Sequence, residues 1–253
     1  MTTLMKPFLK STTSLYVLLC LTLLLFPGFN EKEDDSIYKG AWRLADGSHE
    51  TLKIITNKHF SYATYNIENK KFIAAGGGTW TADGNTYTET LEYYTEDSAK
   101  VGSSVVFNSK IEGQGWQVSL STPGSSVKQS WTKVDKSSKS PLAGTWRITQ
   151  RVTPEGEKVT MPRRSRKTLK FLSDNYFQWA AINPETKEFF GTGGGIYNLK
   201  DGKYTEHINF FSRDSSRVGM DLTFNYEVNG DAWHHTGKST TGNKVDEVWT
   251  KED

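Results

Sequence analysis

Two stretches of this chain spell almost the same pattern. Phe72–Gly102 reads FIAAGGGTWTADGNTYTETLEYYTEDSAKVG, and Phe189–Gly219 reads FFGTGGGIYNLKDGKYTEHINFFSRDSSRVG. They share a triple glycine, an aromatic two residues beyond it (Trp80, Tyr197), a Tyr-Thr-Glu tripeptide and the ending Asp-Ser-x-Lys/Arg-Val-Gly. The correspondence runs without a gap from Thr51/Thr168 to Trp116/Trp233, and it begins and ends on matched tryptophans, Trp42/Trp146 and Trp131/Trp249. A pattern carried twice marks a duplicated structural unit, so the chain must satisfy one fold two times. The 253 residues divide accordingly into an N-terminal segment (1–30), a charged tether (31–37), copy one (38–135), a polar linker (136–141) and copy two (142–253). Copy two alone carries an insertion after its first strand, and that insertion contains the basic run Met161-Pro-Arg-Arg-Ser-Arg-Lys167.

Each copy reads as all-β. Aromatics make up 13% of the chain and there are 22 glycines, a mixture that suits packed strands and tight turns. In copy two, eight runs fall at 143–152, 168–173, 176–184, 188–199, 203–212, 218–229, 232–240 and 244–252. Turn pairs such as Asp174-Asn175, Asp201-Gly202, Asn229-Gly230 and Gly242-Asn243 separate them. Short turns between successive strands predict an antiparallel up-and-down meander, and eight such strands close into a barrel. Glycines 76–78 and 193–195 have neither the lysine nor the helix of a phosphate loop, so they predict a bulge or sharp bend.

The N-terminal segment follows another rule. Lys6 and Lys10 precede an apolar run, Leu15–Phe26, that Pro27-Gly28 breaks. That order predicts a signal peptide or an N-terminal anchor, and hence a secreted or periplasmic protein. Membrane association is expected only through this segment if it is not cleaved. The segment takes two lysines and no acid with it, so the net charge of +2 becomes zero. A neutral domain gives no reason to expect a nucleic-acid partner. The single cysteine, Cys20, lies in the same segment, so disulfides and thiol chemistry are not expected of the barrels.

Alternation selects the candidate site. Tyr204, Glu206, Ile208 and Phe210 share one strand face, and the apolar character of that face places it inside. A carboxylate there needs a cation, a donor network or a proton. Arg147/Arg43 or Arg217/Lys100 are the expected structural partners of Glu206/Glu89, and contact with a ligand is the functional alternative. His207, His234 and His235 are present only in copy two, replacing Thr90, Gln117 and Val118. His234 and His235 must point to opposite faces, and His235 shares its face with Trp233 as Glu247 does with Trp249. The ligand-binding set expected in copy two is therefore Trp179, Tyr204, Glu206, Trp233, His235 and Glu247. No metal-ligand spacing, cofactor fingerprint or nucleophile motif accompanies it. The basic run in the insertion is expected on a surface loop near the barrel mouth.

Gly40-x-Trp42 and Gly144-x-Trp146, each opening an eight-stranded meander, resemble the lipocalin and wider calycin pattern. The closer similarity is to uncharacterised lipocalin-like domains of exported Gram-negative proteins, whose GTGGGxYxxxxGKYTExIxFFSRDSSRVG signature copy two nearly spells. The resemblance implies two tandem lipocalin-like barrels and a small apolar or amphipathic ligand, such as a lipid or glycan fragment. It carries no assigned reaction. Lys133 and Lys251 stand near where the family places an arginine, the Thr-Asp-Tyr motif is missing and no helix follows the barrel. Two rivals remain open: an enzyme (hydrolase, lyase or isomerase) using Glu206 or Glu247 with His235, and an interaction module whose barrels are filled by aromatics.

Overall fold

A computed structural model of the chain describes residues 35–122, 125–135, 139–153 and 155–252. The expected export segment lies outside the described residues, as do most of the tether and residues 136–138 of the linker. The tether's end is ordered, with Asp35–Ile37 forming one 3-10 turn that leads into the first barrel. Both barrels belong to one compact body, Glu33–Asp253.

The architecture is all-β, with no α-helix among the described residues. Copy one forms a closed eight-stranded antiparallel barrel: β1 Gly40–Asp46, β2 His49–Ile55, β3 His59–Asn66, β4 Lys71–Asp83, β5 Thr86–Tyr94, β6 Ser104–Glu112, β7 Gly115–Thr122 and β8 Ser125–Lys133. Each strand pairs with the next, and β8 returns to β1 with Lys133 opposite Trp42. Copy two repeats the order: β9 Gly144–Val152, β10 Lys158–Thr160, β11 Lys167–Leu172, β12 Tyr176–Asn183, β13 Glu188–Lys200, β14 Lys203–Phe211, β15 Asp221–Asn229, β16 Ala232–Lys238 and β17 Lys244–Lys251. Closure comes from β17 on β9, with Thr250 opposite Arg147. The additional strand, β10, comes from the insertion and pairs with the far end of β9, Lys158 opposite Val152. The basic run after it remains without strand structure as far as Lys167.

The repeated motifs have local physical causes. Asp97 and Asp214 cap 3-10 turns at Ser98–Lys100 and Ser215–Arg217 by accepting from the Ala99 and Ser216 amides. The glycines that end the motif, Gly102 and Gly219, have φ of +92° and +91°. The triple glycines carry β-bulges, between Gly77 and Gly78 and between Gly194 and Gly195. A Cβ on Gly195 would lie 2.0 Å from the His207 carbonyl oxygen, so no other residue fits the bulge. Trp42 and Trp146 are buried at the barrel base, and their indole N–H groups donate to the carbonyls of Tyr38 and Leu142. Lys133 and Lys251 lie over these indoles at 5.2 and 5.5 Å from the ring centroids.

The bulge at Gly194–Gly195 corrects one face assignment. Tyr204 and Glu206 pair with Leu199 and Tyr197, and Ile208 with Gly195, all on the inward register. Asn209 then has no opposite number, so Phe210 turns outward and Phe211 turns inward. Phe210 stacks on Tyr65 of the other barrel, with ring centroids 4.8 Å apart. This is one contact in a continuous apolar seam between the barrels. Copy one contributes Leu52, Ile54, Ala63, Tyr65 and Tyr93, and copy two contributes Leu169, Phe171, Ala180, Ile182 and Phe210. Phe189 packs at the same seam, its ring stacked on Tyr93 with centroids 6.0 Å apart.

Residues 139–253 produced alone would expose this whole apolar face to water. Isolated copy two is therefore expected to aggregate or to melt well below the full chain. Phe210→Ala in the full chain should cost about 3–5 kcal/mol in urea unfolding. A monomeric isolated barrel with the full chain's melting temperature would contradict the seam's role.

Candidate functional site

Inside each barrel the alternation of the second strand is reversed from the usual pattern. In Thr168-Leu-Lys-Phe-Leu172, Leu169 and Phe171 point outward into the seam and Lys170 points in. Thr51-Leu-Lys-Ile-Ile55 does the same with Lys53. Lys170 Nζ lies 2.7 Å from Glu206 Oε1, and Lys53 Nζ lies 2.6 Å from Glu89 Oε1. The buried cation is thus this lysine, and neither Arg147 nor Arg217 pairs with Glu206. Arg147 reaches Glu252 and the Arg164 carbonyl, while Arg217 holds Asp214. A buried ammonium gains from the negative faces of aromatic rings. Lys170 is surrounded by Phe177, Tyr204, Trp233 and Trp249, with ring centroids 5.1 to 5.8 Å away. The Tyr204 hydroxyl donates to the same Glu206 oxygen at 2.8 Å. Burial, then the Glu206 charge beside it, push the Tyr204 phenol up, so it stays a donor at neutral pH.

His235 stands in this interior, stacked on Phe224 with centroids 4.7 Å apart. Its Nε2 lies 3.2 Å from Glu247 Oε2, and the Trp249 indole donates to the same oxygen at 3.1 Å. Burial lowers the His235 pKa; the Glu247 hydrogen bond opposes this and the Lys170 charge adds to it. For Glu247, burial acts upward, but the bond to His235 and nearby positive charge leave its pKa lowered. Burial thus favours the neutral form of the imidazole, and the positive charge around Glu247 favours its carboxylate. His207 and His234 point outward and meet Asp221 and Asp246 at 2.7 and 2.9 Å.

Above these groups, barrel two contains a cavity of 590 Å³. Of the six residues expected to line a site, Trp179, Glu206, His235 and Glu247 lie on its wall. Tyr204 and Trp233 do not; both are fully buried below it, packed ring to ring at 5.2 Å. Their place in the alternation was inward, but other rings cover them. Leu222, Phe224, Val245 and Ile148 give the wall apolar surface. Arg151, Arg166, Lys167 and Arg213 also line it; Arg166 and Lys167 end the basic run expected near the barrel mouth, and sequence reasoning placed neither Arg151 nor Arg213. One signal was available for Lys170: it recurs as Lys53 at the matched position of a strand whose alternate residues are large and apolar.

Residues 141–252 match the family model of a domain of unknown function, DUF4488. The match covers β9 to β17 and therefore the barrel that holds the cavity. No curated protein matches the chain.

Two outcomes test the interior. Lys170→Met and Glu206→Gln should each destabilise by about 3–5 kcal/mol, because each strands a buried partner. The double variant should lose much less than their sum, as a urea double-mutant cycle would register. For pH, a base whose pKa is lower in the folded state binds a proton on unfolding. His235 therefore leaves stability intact above its unfolded value of 6.5 and removes it as pH falls below. The loss is at most about 1.4 kcal/mol per pH unit for one proton. His235→Gln should flatten the urea midpoint between about pH 7.5 and 5.5.

Proposed function

We propose that the second barrel binds a small amphipathic molecule in its cavity. The observation carrying this reading is the 590 Å³ volume, inside the range of about 300–1,000 Å³ typical of small-molecule sites. Its lining is of the matching kind, with apolar walls and a few fixed polar groups. Glu247 is the polar group best placed for a ligand donor, being partly exposed and already oriented by His235 and Trp249. A lipocalin-like, calycin assignment belongs to the same reading. It is supported by the up-and-down order and by Trp42 and Trp146 at the base of each barrel. So does export to the periplasm or beyond, which rests on the basic start and apolar run of residues 1–30.

The rivals fare differently. A cavity of this size speaks against a second barrel filled by aromatics. The His235–Glu247 contact favours acid–base chemistry as a second reading. Against it, the His235 Nδ1 atom is buried without a partner and is not presented to a ligand. Glu206 is held by Lys170 and Tyr204.

Titration of the full chain with the neutral fluorophore N-phenyl-1-naphthylamine tests the binding reading. Saturable binding is expected, with stabilisation of about 2.7 kcal/mol at one hundred times the dissociation constant. Ala181→Trp, which fills the cavity wall, should weaken binding at least tenfold while copy one keeps its fold. Absence of binding by a well-folded chain, or binding untouched by Ala181→Trp, would sink the reading.

A further inference from the structure

We propose that the ligand of barrel two carries an anionic head, a carboxylate or phosphate, held at the cavity mouth by Arg166 and Arg213; this rests on the binding reading above. Six cationic side chains line the cavity against two carboxylates. Three of the cations are already engaged. Lys170 pairs with Glu206, Lys167 with Glu92 of the first barrel, and Arg147 with Glu252. Both cavity carboxylates are engaged too, since Glu247 holds His235. Among the described residues, Arg151, Arg166 and Arg213 have no ion-pair partner, so the mouth carries uncompensated positive charge.

Two of these guanidinium groups are placed by aromatic rings. Arg166 lies 4.5 Å from the Phe190 centroid, and Arg213 lies 5.3 Å from Trp179 and 5.9 Å from Phe211. A guanidinium stacked on a ring keeps its N–H edges free for a planar or tetrahedral anion. The backbone is shaped to allow this. The bulge between Ala181 and Ile182 leaves Phe190 unpaired, so it turns to the mouth while Phe189 enters the seam. A Cβ on Gly191 would lie 2.8 Å from Arg213 Nε, so the glycine makes the room through which this arginine crosses to Trp179.

Copy one serves as an internal comparison. Its counterparts to Phe190, Gly191 and Arg213 are Ile73, Ala74 and Glu96, and Arg166 belongs to the insertion that copy one lacks. The glycine, the ring and the positive charge are therefore all features of the second barrel and not of the shared fold. An exposed cationic rim over an apolar wall fits a molecule whose head is negative and whose tail is apolar.

Isothermal titration of the full chain with dodecyl phosphate, dodecanoate, dodecanol and inorganic phosphate separates the possibilities. Both anionic amphiphiles should bind about tenfold or more tightly than dodecanol, with an affinity that falls as salt rises. Arg166→Gln/Arg213→Gln should bring them to the level of dodecanol and leave dodecanol itself unchanged. Both residues are exposed, and an unchanged melting temperature would confirm that the variant is folded. Equal binding of dodecanol and dodecanoate, unaffected by the double variant, would overturn the anionic head while leaving the binding reading intact. Inorganic phosphate binding as tightly as dodecyl phosphate would overturn the amphipathic ligand in favour of a free anion. Failure of every probe, dodecanol included, would overturn the binding reading as well.

Discussion

An ammonium group buried in a barrel must be neutralised where it stands, and that requirement shapes both halves of this molecule. Lys53 and Lys170 each meet one glutamate and a ring of aromatic faces. Turning the lysine inward commits the alternate residues of the same strand to the outside. Those residues are Leu52 and Ile54 in one copy and Leu169 and Phe171 in the other, too apolar to leave in water. The ion pair within each barrel and the seam between barrels are thus two faces of one strand, and neither arrangement stands without the other.

The bulges distribute the rings between these two cores. In β14 a single unpaired residue reverses the alternation, so Phe210 serves the seam and Phe211 serves the cavity. In β13 another does the same for Phe189 and Phe190. Consecutive aromatics that a regular strand would divide blindly between inside and outside are each given a partner. At the β14 bulge glycine is required, because the His207 backbone comes too close to Gly195 for any side chain.

The two copies differ most where the cavity opens. Below the mouth they are nearly superimposable in chemistry, with lysine, glutamate, tyrosine and tryptophan in matching places. At the mouth, Arg213 replaces Glu96, and within the barrel His235 and Glu247 replace Val118 and Gln129. Gln129 still accepts from the Trp131 indole, as Glu247 does from Trp249, so the replacement keeps the structural bond and adds a charge. Duplication supplied the frame twice, and the polar novelty is confined to the second.

The sequence alone determined the duplication, the order of the eight principal strands in each copy and the opposite facing of His234 and His235, and it marked the triple glycines as a bulge or bend. These are properties of local spacing and backbone sterics, which neighbouring residues suffice to define. It did not determine which cation meets Glu206, because Lys170 and Glu206 lie on strands brought together across the barrel interior. Nor did it show that Phe210 leaves the barrel or that rings cover Tyr204 and Trp233. Alternation sorts side chains into two faces but does not say which face is inside when both are apolar. Here both faces are buried, one in a barrel and one in a seam, and only the packing of one copy against the other decides between them.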